Sequence, residues 1–440
     1  MAAAQPTSPE SFLLDLLRPD RVRHHARRLG FVLRIGPIKL LPFVLAVVLT
    51  PSGRGEQPIA AMRRAFERRT GYLPARSSFW ERLSPAFGRL VRWMLDDVVD
   101  RSWDATPKPP GFLSSFKDVI AGDATVVQVH DSLAGRWKGT ATPAAIKVHT
   151  LVRALTGELL RYRITAETRP ECRVFGVGHW ARNVLFLLDR GYADGSLWWR
   201  IDRLGGSFVT RLKTSFHARV VSVNPGHRGS RSKPIGKKAM DLAAGRSGGR
   251  IDVMCSFAVR VRPYRSARGR RFPHVFRVVG VWNRTHERYH FYVTNVGVDR
   301  FTAEQVEVAY RLRWEVERFY VAAKSGMGLD RITSRKPHIV EALIRAALLR
   351  CTVAMQAKRQ AERTLPTGRW INALAWIKVW RERIGDLLGA WLDGVRRPQR
   401  VSWERLAWLA VDPSRRRLSA RVAATLGAAV GWGYVQRKRA

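Results

Sequence analysis

Residues 309–324 read AYRLRWEVERFYVAAK, and four side chains in this run decide how the rest of the chain is read: Tyr310, Arg313, Glu317 and Lys324. At about 100° per residue of α-helix they fall within about 60° of one another, so one carboxylate, two cations and a phenol share a stripe. Leu312, Val316, Phe319 and Ala323 form a second, apolar stripe that can bury in a core. A helix built this way suits a site that handles metal and phosphate. A surface helix with ordinary charges accounts for any one of the four residues more readily than for all four together. Thr302 with Gln305 three residues later predicts a capping box at the start of this helical region, and Glu304 favours the positive end of the helix dipole.

The chain has 440 residues, 46% of them hydrophobic, which is enough for a sizeable core in two or three domains and excludes a disordered polycation. It carries 78 Lys and Arg against 35 Asp and Glu, a formal charge of +43. A folded chain this basic needs a polyanionic partner. Nucleic acid answers that through phosphate neutralisation and counterion release; an anionic membrane surface is the competing partner. Cys172, Cys255 and Cys351 lie far apart, which argues against a disulfide framework or a zinc ribbon and fits a reducing cytosol. The first residues, MAAAQPTSPESF, lack the basic and apolar regions of a signal peptide. The most apolar stretch, IKLLPFVLAVVLT at 38–50, is short of the roughly 20 residues a span needs and contains a proline, so it is expected to be a buried helix or strand. The expectation is a cytoplasmic, nucleoid-associated protein that binds double-stranded DNA and has no membrane partner.

Three regions follow from the pattern. Residues 1–118 read as helical. One helix runs from Ile59 to a Gly71/Pro74 turn; another opens at Ser84-Pro85 and lines Leu90, Val91, Met94, Leu95, Val98 and Val99 on one face. A DNA-binding module and a plain helical bundle with a basic face both fit. Residues 119–336 switch to strand periodicity: ATVVQVHDS at 124–132 alternates, AIKVHTLVRA and LLRYRITAE make a hairpin, and NVLFLLDRGY at 183–192 is a strand buried on both faces. This predicts a mixed α/β sheet. Within it, about 197–298 reads as a β-rich insertion. It holds DVMCSFAVRV and a hairpin around Asn283-Arg284-Thr285-His286, together with a Gly/Ser/basic segment, 226–250, that is either a loop or a phosphate-contacting arm. Residues 337–440 read as helical.

Phosphodiester chemistry needs carboxylates that hold two divalent ions about 3.5–4 Å apart. Asp is favoured at strand ends because its short side chain fixes a hard Mg²⁺ ion. The candidates are Asp131, closing VVQVHD; Asp189, closing VLFLLD; and Glu317 on the helix. Asp123 reads as preceding its strand, Asp194 as a turn residue, Glu315 as lying between the stripes and Glu307 as the nearest rival of Glu317. Arg313 and Lys324 can hold phosphate oxygens, and Tyr310 can bond phosphate or stack on a base.

On these residues the chain resembles DDE transposases of bacterial insertion sequences, the family-four group with a Y-x₂-R-x₃-E-x₆-K signature. Tyr310, Arg313, Glu317 and Lys324 match that spacing, and Asp189-Arg190-Gly191-Tyr192 resembles the context of its second aspartate. Asp131-Ser132-Leu133 departs from the usual D-x-T at the third position, and Lys147 and His149 resemble a K-x-H element. The resemblance implies a ribonuclease-H-like mixed sheet with a β-rich insertion before the last acid, flanked by helical N- and C-terminal regions. It implies two Mg²⁺ ions (Mn²⁺ as a substitute) on Asp131, Asp189 and Glu317. It also implies cleavage at terminal inverted repeats, joining of the 3′-hydroxyl to target DNA, a homodimer on DNA with the helical C-terminus as its candidate interface, and a tryptophan stacking on a flipped base, here Trp282, with Trp198 and Trp199 as competitors. A domesticated DNA-binding derivative and a host nuclease of the same fold are the alternatives.

Overall fold

The structure, a computed structural model, describes residues 8–31, 37–50, 58–104, 108–225, 227, 234–261, 269–284, 286–330, 332–366, 369, 371–393 and 402–411. Among the described residues, six α-helices precede the first strand: α1 (Pro9–Leu17), α2 (Pro19–Arg28), α3 (Leu40–Val48), α4 (Pro58–Thr70), α5 (Arg76–Glu81) and α6 (Pro85–Asp104). The apolar stretch at 38–50 becomes α3, buried from Phe43 to Val48. Ser84 accepts a hydrogen bond from the Phe87 amide at the start of α6 (3.3 Å), whose Leu90, Val91, Met94, Leu95, Val98 and Val99 are all buried.

A nine-stranded sheet follows: β1 (Asp118–Gln128), β2 (Ala145–Arg153), β3 (Leu159–Ala166), β4 (Val184–Leu188), β5 (Ser207–Arg211), β6 (Arg219–Val223), β7 (Arg250–Val261), β8 (Arg270–Asn283) and β9 (Arg288–Thr294). Its order is β3-β2-β1-β4-β5-β9-β8-β7-β6. β1, β4 and β5 are parallel, with helix α7 (Gly195–Arg203) crossing from β4 to β5; every other pairing is antiparallel. All five residues of β4 are buried, as expected of a strand covered on both faces. Leu185 and Leu187 join the core under the helices, whereas Val184, Phe186 and Leu188 join a second core with Trp198 and Ile201 of α7. α7 and β5 therefore belong to the parallel layer, and the antiparallel extension begins only at β6. Of the basic segment 226–250, residues 226 and 228–233 lie outside the described residues; further on, Ala239 and Leu242 pack into the second core.

Helices α8 (Ala303–Arg311), α9 (Trp314–Val321), α10 (Pro337–Glu362), α11 (Ala373–Asp393) and α12 (Trp403–Leu409) complete the described chain. The capping box at Thr302 and Gln305 is formed in both directions. α10 is buried along most of its length between α6, α3 and the sheet-facing helices, so the first and last helical regions share one core. Residues 412–440 lie outside the described residues. Among the described residues, no helix is long and apolar enough to cross a membrane.

Candidate active site

β1 starts six residues earlier than the alternation at 124–132 indicates, which puts Asp123 inside the strand. In the sheet Leu151 and Leu188 close over Gly122: a Cβ there would meet a methyl of each at 3.0 Å. Gly122 pairs with Leu188 across the parallel β1/β4 ladder, so the next step along both strands brings Asp123 beside Asp189.

Glu317 reaches the same point from α9. The run 309–324 is not one uniform helix. The amides of Leu312, Arg313, Glu315 and Val316 each bond three residues back (3.0–3.1 Å), a 3₁₀ tightening between α8 and α9, and residues 322–326 form a π turn. The stripe survives because α9 is pinned to β1. The Tyr320 hydroxyl accepts from Thr150 (2.8 Å) and shares its proton between the carbonyls of Asp123 and Val148 (2.9 Å each), and Lys324 Nζ donates to the Val126 carbonyl (3.0 Å).

Arg313 joins the acids. Its Nη2 bonds Glu317 Oε1, its Nη1 lies 3.5 Å from Asp123 Oδ2, and its Nε lies 3.9 Å from Asp189 Oδ1. The buried Tyr310 hydroxyl donates to Asp189 Oδ1 at 3.5 Å. Burial pushes the Asp123 carboxyl up to about 7, and the negative charges of Asp189 and Glu171 add to this, against the Ala124 amide and Arg313. Burial works against the Arg313 cation, yet Tyr310, Asp189 and Glu317 hold it above its ordinary range.

The structure therefore brings together Tyr310, Arg313, Glu317 and Asp189 but not Asp131. That residue is exposed, in a 3₁₀ turn (Asp131–Leu133) beyond the end of β1; the strand from Asp123 to Gln128 alone spans roughly 16 Å at about 3.3 Å per residue. Its neighbour His130 faces Arg335 (3.0 Å), just ahead of α10. Asp123 takes the position expected of Asp131. Trp282 is half-buried near the β8/β9 turn, edge-on to Tyr289 at 5.2 Å, whereas it is Tyr292, farther along β9, that packs on Tyr310. Glu307 pairs with Arg311 and the half-buried Glu315 with Arg318, so neither rival enters the cluster.

A further acid escaped the sequence reading. Glu171 lies against the backbone of Gly191, where a Cβ would collide with its carboxylate, and Lys147 Nζ is 3.6 Å from its Oε1. Nothing in its local sequence marks it. His149, next but one to Lys147, is a core residue bonded to Thr165 (2.9 Å); burial and Lys147 lower it to about 4, so it is neutral.

Among the described residues, no three His, Cys, Asp or Glu side chains stand close enough together to hold one ion. The donor set itself, carboxylate oxygens alone, fits a hard divalent cation, and the Arg313 guanidinium is what contacts all three acids.

These features define a class: an α/β protein that gathers acids from two adjacent parallel strands and a packed helix. Residues 114–351, more than half of the chain, match the family described as Transposase DDE domain, and the chain belongs to that family. Domains of this family generally use divalent metal ions. Over 57 residues the chain is 39% identical to the putative transposase InsL for insertion sequence element IS186A of Escherichia coli (strain K12), covering 13% of this chain and 15% of that protein. The same identity and coverage hold for the transposase for insertion sequence element IS421 of Escherichia coli. The chain thus spans a small part of the length of these relatives. A cryo-EM structure of the piggyBac transposase synaptic complex with hairpin DNA is similar at 8% identity and a TM-score of 0.40, over 89% of this chain and 86% of that one.

Proposed function

We propose that the chain is a DNA transposase of the family-four Y-R-E-K group. In this reading it binds terminal inverted repeats as a homodimer, cuts a phosphodiester at each end and joins the 3′-hydroxyl to target DNA. The observation that supports it best is the meeting of Asp123, Asp189 and Glu317 around Arg313. The sheet order β3-β2-β1-β4-β5, with acids on adjacent β1 and β4, supports a ribonuclease-H-like core.

Asp123, Asp189 and Glu317 would hold the cations, Mg²⁺ or Mn²⁺, with Asp123 replacing Asp131. Such a pair of ions, when bound, activates the attacking oxygen and stabilises the leaving one. Asp189 and Glu317, on different elements, orient their oxygens from two sides, and Tyr320 and Lys324 fix the helix over β1. Arg313 offers a forked donor to a phosphate, Tyr310 a hydroxyl, and Trp282 a ring for an unstacked base. The +43 charge supplies the general attraction for DNA.

The test is cleavage of duplexes carrying the DNA that flanks the gene, by the full chain in Mg²⁺. Asp123→Ala, Asp189→Ala and Glu317→Ala should each abolish cutting while leaving DNA binding intact, and Asp131→Ala should cut like the unaltered chain. An Asp123→Ala protein that cuts normally would overturn the assignment.

A further inference from the structure

Arg313 faces three carboxylates from three separate elements, β1, the end of β4 and α9. Its side chain is only 11% exposed, so these contacts are poorly screened by water. Yet the pairing is incomplete: one oxygen is bonded closely, the other two ion pairs lie at 3.5 and 3.9 Å, and its buried Nε makes no hydrogen bond. A guanidinium spread over three acids in this way neutralises them without satisfying either side. The backbone beneath it is the 3₁₀ joint between α8 and α9.

We propose that Arg313 is an internal counter-ion that closes the acid cluster of the metal-free chain, and that a divalent cation binds by displacing it. The inference rests on the reading of the three acids as the metal ligands. It gives Arg313 a role before DNA arrives, and displacement frees its donors for a phosphate. Both steps follow from one rule: a hard dication concentrates more charge on carboxylate oxygens than a delocalised guanidinium, whereas the guanidinium fork matches phosphate.

Calorimetric titration of the full chain with Mn²⁺ alone, without DNA, tests this. Losing a charge-assisted competitor should tighten Mn²⁺ binding about tenfold or more in Arg313→Gln. Arg313→Lys, a point charge unable to fork across the acids, should fall between. A scaffold role for Arg313 predicts the opposite, weaker or unchanged binding in Arg313→Gln, and that result overturns the proposal. Because Arg313→Gln leaves the acids crowded and can fail to fold, Arg313→Lys provides a second reading: saturating Mn²⁺ should raise its melting temperature more than that of the unaltered chain. An equal or smaller rise refutes the displacement. Asp189→Asn and Glu317→Gln separate the two levels of inference. Mn²⁺ binding that survives both overturns the metal assignment and the proposal with it. Binding lost in both, with no tightening in Arg313→Gln, overturns the counter-ion alone.

Discussion

Replacing Asp123 by Asn should stabilise the metal-free protein, and by an amount that depends on pH. The Asp123 carboxyl is raised from 3.8 to about 7 in the folded chain, first by burial and then by its acidic neighbours. Folded protein therefore holds this proton more tightly than unfolded protein, and stability falls as pH rises between the two values. Every tenfold difference in proton affinity between the two states is worth about 1.4 kcal/mol, so at pH 8 the carboxylate costs the fold about 4 kcal/mol, and at pH 5 about 2 kcal/mol. Asn keeps the shape and can still accept from the Ala124 amide, but it carries no charge. For 440 residues, with an unfolding entropy of about 2 cal/mol/K per residue, the gain corresponds to roughly 4 °C at pH 8 and about 2 °C at pH 5. Thermal melts in EDTA at the two pH values measure it, with Asp131→Asn, on an exposed turn, as the control that should not move. A melting temperature for Asp123→Asn that is unchanged or lower at pH 8, or a gain that does not grow with pH, would refute the placement of Asp123 among unbalanced charges.

Three further outcomes follow from other parts of the chain. Arg153 is fully buried between Asp118 (3.0 Å) and Glu158 (2.7 Å), and Arg359 also reaches Glu158 (3.2 Å), so Arg153→Met should cost about 3 kcal/mol in urea denaturation chiefly by removing the arginine partner of buried Asp118, with part of the loss recovered in acid. Gly191→Ala drives a methyl into the Glu171 carboxylate, so adding Glu171→Ala should restore stability; a double-mutant cycle should give a coupling of about 1–2 kcal/mol, and purely additive losses would deny the contact. The +43 charge predicts DNA binding that weakens steeply with salt in an anisotropy titration, and a flat titration would remove counterion release from the account.

The fold was legible where one periodicity ran unbroken. The continuous apolar run 184–188 announced a strand covered on both faces, and Ser84-Pro85 announced the start of α6. Boundaries were lost where a residue answers to a distant partner instead of a neighbour. Residues 118–122 are buried without alternation, and Gly122 fits beneath Leu151 and Leu188, contacts made across two ladders that no local window contains. The alternation at 124–132 therefore put the apparent start of β1 past Asp123 and favoured Asp131, an acid in a turn. α7 and β5 were absorbed into the β-rich segment for a similar reason. Which strand is parallel depends on where the chain crosses, and composition does not record a crossing.

The helical signature illustrates how a shared stripe can be read from an inexact premise. The wheel assumed one regular helix, whereas the chain tightens at 312–316 and widens at 322–326. A tighter turn advances each residue by about 120° and a wider one by less than about 100°, so the two departures rotate later residues in opposite senses. Arg313 and Glu317 span only four residues, and their pairing tolerates this phase drift. Lys324 lies past the first irregular segment and inside the second, so its direction was the least determined by spacing. What fixes it is its own bond to the Val126 carbonyl, together with Tyr320 on the Asp123 carbonyl one turn earlier. The sheet, through β1, sets the phase of the helix at the two points that matter to the acids. A substitution that removes only the Tyr320 hydroxyl should therefore disturb Glu317 more than any change on the exposed side of α9.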